Sequence, residues 1–294
     1  MVVADNATRW NSTYSMIHRA LKLRPQIRTF CLMNIDDLET DTLSSNEWDV
    51  LEEIESILEP FYMVTKRLEG NNKEGHHGSI WEALPAVELL LRHLETLKEV
   101  HTTGYIAICV NLAWTKLEEY YKRMDVAPAY AVALFLHPKF RFDYFKKRWT
   151  TKTLKPYQKP TLLAIRKLFD TQYRNSMTET ALQALDAENE EEEEDIFTAF
   201  LNEDIRPKDE FDAYINGSTI AVKKDFNLIQ WWASSGSPQL TNMAFDMLSI
   251  PAMSSETERV FSGAKLTISP SRNRLSEDII EATECLNRWY KAGL

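Results

Sequence analysis

Between Ser44 and Met124 apolar residues recur at helical spacing with few breaks, and this periodicity limits the chain to a helix-rich fold. Ser44 followed three residues later by Glu47 has capping-box spacing, in which the two side chains satisfy amides that a helix start leaves unpaired. Trp48, Leu51, Ile54, Ile57, Leu58 and Phe61 then mark one buried stripe. The period runs through Pro60 to Met63 and Val64 before Gly70, so the proline predicts a kink and not an end. Leu84, Val87, Leu90, Leu91, Leu94 and Leu97 predict a helix over 80–100, and Ile108, Leu112 and Leu117 another over 105–124. Only eight glycines and eleven prolines occur in 294 residues that are 44% apolar, a balance that excludes a disordered chain and disfavours an all-β one.

The flanks are less regular. Val2 and Val3 suit the stub of a strand, and Tyr14, Ile17 and Leu21 predict a helix from Ser12 to about Leu32 that Pro25 interrupts. Residues 127–149 join an apolar run, AVALFLHP, to a basic and aromatic one, and the apolar run suits either a strand or a fully buried helix. A helix is predicted from about Lys159 to Leu185. Asp186 to Asp195 then holds eight acidic residues and reads as a solvated linker. Beyond it, Trp231 and Trp232 precede a short helix over 238–248. Ser254 or Ser255 suits the cap of a helix containing Val260 and Phe261, and Ser276 caps a last helix with Ile279, Ile280, Thr283, Leu286 and Trp289 on one face.

Taken alone, the formal charge of −10 disfavours a nucleic-acid partner, but the acidic tract accounts for eight of those charges and leaves −2 elsewhere. Net charge therefore decides little. Cys31, Cys109 and Cys285 are odd in number and far apart, which predicts reduced core thiols in an intracellular protein. His76 and His77 lack a third ligand at helical spacing, so no metal site is expected there. No signal pattern and no apolar run of about eighteen residues is present, which predicts a soluble protein without a membrane partner.

Two separated stretches carry a resemblance. Asp5 to Tyr14 contains TRWNSTY, and residues 250–276 read IPAMSSETERVFSGAKLTISPSRNRLS. Leu136-His137-Pro138-Lys139-Phe140 and the Trp231-Trp232 pair lie between them in family order. Together they make the chain resemble the C-terminal portion of hAT-superfamily DNA transposases. Thr257 and Lys265 depart from the usual serine and glycine of the second motif.

The resemblance implies a ribonuclease-H-like core in which three carboxylates hold two divalent metals about 3.5–4 Å apart for attack on a phosphodiester. By motif, Glu258 matches the third carboxylate; the other two belong to family strands that precede the Arg-Trp motif. One carboxylate cannot gather two Mg²⁺ or Mn²⁺ ions, so no enzymatic activity and no cofactor are expected of these residues alone. Asp5 reads as a turn or cap residue rather than a substitute.

The resemblance also implies DNA contact by Arg9 and Trp10, with Arg19 and Lys22 extending a basic N-terminal segment. Phe261, Leu286 and Trp289 are the implied dimerisation residues, with a homodimer or homo-oligomer as the partnership and the nucleus as the location. Residues 139–159 interleave cations with Phe140, Phe142, Tyr144, Phe145 and Trp149; this suits either a phosphate- and base-binding surface or an amphipathic element with buried rings.

The expected architecture is mainly α, an irregular helical insertion plus C-terminal helices of a truncated ribonuclease-H-like core whose main strands are missing. Residues 1–37 are assigned to a core remnant, 38–185 to the helical insertion, 186–210 to the acidic linker and 211–294 to the dimerisation region. The expected function is transposase-derived dimerisation with weak DNA binding. The alternative is a subunit of a metal-dependent transposase or nuclease completed by a second polypeptide.

Overall fold

The computed structural model describes residues 4, 10–38, 41–70, 79–124, 126–174, 209–223, 226–255, 258, 261, 264, 265 and 275–292. Within them the protein is mainly α, and no strand occurs beyond an isolated antiparallel bridge of Ser79 with Pro251. The helices are α1 (Trp10–Lys22), α2 (Arg24–Met33), α3 (Ile35–Leu38), α4 (Ser45–Glu69), α5 (Ala83–Val100), α6 (Gly104–Met124), α7 (Ala129–Phe135), α8 (Asp143–Arg148) and α9 (Gln158–Gln172). They continue with α10 (Glu210–Asn216), α11 (Leu228–Ala233), α12 (Pro238–Leu248) and α13 (Glu277–Ala292). The chain divides into two compact units, one of residues Met1–Asn71 with Ala86–Tyr121 and one of Asn72–Pro85 with Lys122–Leu294.

The first unit is built on α4. Ser44 accepts a hydrogen bond from the Glu47 amide while the Glu47 carboxylate accepts one from the Ser44 amide at 2.7 Å, so the capping box is complete. These bonds hold the Glu47 carboxyl below its usual range. α4 continues through Pro60 and stops at Gly70, whose φ of 72° is readily reached only by a residue without Cβ. Pro25 sits in the first turn of α2, where its missing N–H costs nothing, and this is why the sequence breaks between α1 and α2. Tyr14 and Ile17 of α1 pack on α4, with Tyr14 stacked on Tyr62 at 4.5 Å. Trp48 is 2% exposed and lies under the Arg24 guanidinium, which also donates to Glu52 at 2.8 Å.

The second unit closes around α7. Val132, Ala133, Leu134, Phe135 and Leu136 are all fully buried. The run AVALFLHP is therefore a buried helix and not a strand, as its alternative reading allowed. A buried helix end leaves carbonyls at its C-terminus without water, and side chains from distant sequence satisfy them. The Tyr214 hydroxyl donates to the Phe135 carbonyl at 3.2 Å, and the Trp232 indole N–H donates to that of Leu136 at 2.9 Å. Ile80, Ala83 and Leu84 belong to the same core, as do Ile165, Phe169, Leu240, Met243 and Ala244.

α9 stops at Gln172, earlier than its sequence pattern predicts, and the Arg174 amide turns back to the Phe169 carbonyl at 3.0 Å. The Tyr173 hydroxyl is directed to Asp246 of α12 at 2.9 Å; burial, reinforced by that bond, pushes it up to about 12. Arg166 of α9 holds the start of α10 by bonding Asp209 and Asp212, the latter at 3.0 Å, and Arg174 reaches Asp209 at 3.6 Å. The residues that flank 175–208 are thus in ion-pair contact with each other. The acidic tract, His76, His77, Asp5 and the possible strand stub over residues 1–3 lie outside the described residues.

Candidate dimerisation surface and the motif residues

α13 presents two kinds of face. Ile280, Glu284 and Cys285 are half-buried, whereas Ile279, Leu286 and Tyr290, spaced at i, i+7 and i+11, line an outward stripe. Leu286 is 62% exposed and Trp289, beside the stripe, 54%. The helix is entered through backbone bonds from the Ile279 and Ile280 amides to the Ser276 carbonyl at 3.1 and 3.2 Å. Phe261 lies in helical backbone and is 69% exposed. Large apolar side chains on one exposed helix face are costly to leave in water.

Glu258 is exposed in helical backbone, with its amide bonded to the Ser254 carbonyl at 3.0 Å and one carboxylate oxygen accepting from the Ser254 hydroxyl at 3.2 Å. Among the described residues no group of three or more His, Cys, Asp or Glu side chains is arranged to hold a metal ion. At the other end of the sequence, Arg9 and the Trp10 side chain lie outside what is described; the Trp10 backbone opens α1. Arg19 and Lys22 occupy the last turn of α1, where positive charge offsets the negative helix end; Lys22 is exposed and Arg19 half-buried.

The two motifs between these ends form one buried assembly. His137 is 5% exposed against Trp81 at 4.5 Å and Phe140 at 4.8 Å between ring centroids, and its Nδ1 accepts from the Lys139 amide. Burial, with the nearby Lys139 charge, lowers its pKa to about 4, so the ring is neutral. Arg141 adopts a left-handed φ of 49° and is 9% exposed. Its guanidinium lies over the Tyr214 ring and donates to the Tyr214 carbonyl at 2.6 Å. That carbonyl belongs to the C-terminal turn of α10, so the buried cation meets the negative end of a helix.

The interleaved rings of 139–159 divide by burial. Phe142, Phe145 and Trp149 are 5%, 0% and 3% exposed, and Phe140 and Tyr144 are half-buried. Of the two readings, the amphipathic one holds for Phe142, Phe145 and Trp149: they anchor the element and are closed to a stacked base. Sequence reasoning missed Tyr214 and counted Arg141 only among the cations of residues 139–159. No local pattern announces them, because each acts on a residue more than seventy positions away.

Comparison with known proteins matches residues 210–290 to the hAT family C-terminal dimerisation region and residues 1–57 to the ZBED1 RNase-like helical domain. An AC transposase of Zea mays is 26% identical over 98% of this chain and 37% of its own length. An AC9 transposase of the same plant is 24% identical over 98% of the chain and 38% of its length. The zinc finger BED domain-containing protein DAYSLEEPER of Arabidopsis thaliana is 21% identical over 97% of the chain and 40% of its length. The chain thus spans about two fifths of the length of these curated relatives. No helix among the described residues is long and apolar enough to cross a membrane. With regions matched near both ends and relatives aligned along nearly all of it, the chain is a homologue of the AC transposases and BED zinc finger proteins and carries the hAT C-terminal dimerisation region.

Proposed function

We propose that these residues mediate self-association of a transposase-type protein, through Phe261, Leu286 and Trp289. The observation that carries this reading is the contrast within residues 210–290. Phe211, Tyr214, Trp232, Leu240 and Met243 are spent on the unit's own core, while the stripe of α13 is left exposed. A second copy is the natural cover, because a two-fold contact brings the same apolar stripe to both sides.

Light scattering of the purified chain across a concentration series tests this. A mass near twice 34.1 kDa is expected. The double variant Leu286→Asp, Trp289→Ala should fall to the monomer with unchanged helicity by circular dichroism. A monomeric unaltered chain at every concentration would overturn the reading.

DNA contact is assigned to Arg9, Trp10, Arg19 and Lys22, as a weak, phosphate-directed interaction whose natural setting is the nucleus. Catalysis by these residues alone is not proposed, since Glu258 is one carboxylate where a two-metal site needs three. The exposure of Glu258 favours a second reading, in which it completes a Mg²⁺ or Mn²⁺ site with carboxylates from another polypeptide. Glu258→Ala separates the two. Self-association should be untouched, and metal-dependent cleavage by a mixture with such a polypeptide should collapse if the second reading holds.

A further inference from the structure

Six exposed cations lie on and between the end of α8 and the start of α9, which form one corner of the second unit. Lys146, Lys147 and Arg148 form the last turn of α8, and Lys152, Lys155 and Lys159 follow along the turn into α9. The Gln158 side-chain amide ties the two groups together by donating to the Phe145 carbonyl at 3.2 Å and the Trp149 carbonyl at 2.9 Å. The first turn of α9 is thereby held against the end of α8. Asp143 approaches Lys146 at 3.8 Å and Lys147 at 3.6 Å, but those lysine side chains are 57% and 74% exposed, so solvent screens both pairs.

Helix-end chemistry explains part of this charge. Lys146, Lys147 and Arg148 offset the negative C-terminus of α8. It does not explain Lys155 and Lys159, just before and within the first turn of α9, where the helix end is positive and no acidic residue is present. Nor does it explain Tyr157, which stands between them on the turn Lys155–Tyr157 and is 52% exposed. Phe145 and Trp149, whose carbonyls Gln158 bonds, are buried and pack edge to face at 4.8 Å between centroids, which anchors the end of α8. Exposed cations on both sides of an open aromatic ring in the chain match what a nucleic-acid strand offers: phosphates for the lysines and an unpaired base for the ring.

We infer that this corner binds the backbone of a single-stranded nucleic acid, with an unpaired base stacked on Tyr157. In a duplex both faces of each base are already stacked, so the tyrosine contributes only to the single strand. An acidic peptide would use the lysines and leave the ring idle. The site uses none of the residues assigned to self-association, and it lies in a different unit from Arg19 and Lys22.

Fluorescence anisotropy of the full chain with a labelled oligothymidine and with a duplex of equal length, over a salt series, tests the inference. The single strand should bind more tightly. The variant Lys152→Ala, Lys155→Ala, Lys159→Ala should weaken it roughly tenfold and flatten the log–log salt slope by about two, as expected for three single-strand phosphate contacts. Tyr157→Ala should weaken the single strand about fivefold or more and leave the duplex unchanged, whereas Tyr157→Phe should retain binding. Arg19→Ala with Lys22→Ala should leave the single-strand difference intact, and thermal melts should show every variant folded. Absence of binding by the unaltered chain, unchanged binding by the triple variant, or a folded Tyr157→Ala that binds single strand like the unaltered chain would each overturn it.

Discussion

His137 is an imidazole kept neutral inside an aromatic cluster, and its burial links stability to pH. Its folded pKa of about 4 lies below the usual 6.5, so between these values the unfolded chain binds more protons than the folded one. Its contribution is fully present above pH 6.5 and is lost as pH falls towards 4, amounting to about 3 kcal/mol at most. Urea denaturation at pH 7 and pH 5 should show this loss, and His137→Phe should remove that component of the difference. At the same scale, Trp232→Phe deletes the donor to the buried Leu136 carbonyl and should cost about 1–3 kcal/mol in the same assay. The sequence marks His137 and Trp232 as motif residues, yet it cannot say that both serve the end of α7. That relation spans 96 residues and exists only once the chain has folded.

Individual helices follow local rules wherever caps and stripes are strong. α4 has its capping box, its tolerated proline and its glycine stop, each readable from a few neighbouring residues. α7 is different, because an apolar run of seven or eight residues fits a strand and a buried helix equally well, and only packing on all sides selects the helix. The junction of α9 and α10 also depends on distant partners. Arg166 lies over the Phe211 ring at 4.9 Å and bonds carboxylates of both helices, so Arg166→Met should destabilise the second unit by about 2 kcal/mol by leaving Asp209 poorly paired. Because Arg174 already touches Asp209, replacing residues 175–208 with a short Gly/Ser linker should leave the thermal midpoint within a few degrees of the parent.

Across the whole molecule, the units are not contiguous in sequence. Residues 72–85 belong with the second unit although the first resumes at Ala86. Ile80 and Leu84 are 6% and 4% exposed in that core, and the Ile80 amide donates to the Ile250 carbonyl at 3.1 Å. A fragment of residues 122–294 should therefore lack a cooperative thermal transition. In the full chain, Leu84→Ala should cost about 2–5 kcal/mol, read as early loss of protection at buried α12 amides in hydrogen exchange.

The sequence by itself determined the helical class, the break at Pro25, the capping box and glycine stop of α4, the stripes of α5 and α6, and the resemblance at both ends, because helical periodicity, capping chemistry and motif spacing are encoded within a few residues. It also marked Leu286 and Trp289 as members of one helical face. Only the tertiary structure decided that this face is left uncovered, that Val132 to Phe135 are the buried part of a helix, and that Phe145 and Trp149 are core while Tyr157 is open. Burial is a property of what other segments do not reach, and short-range patterns carry no record of it.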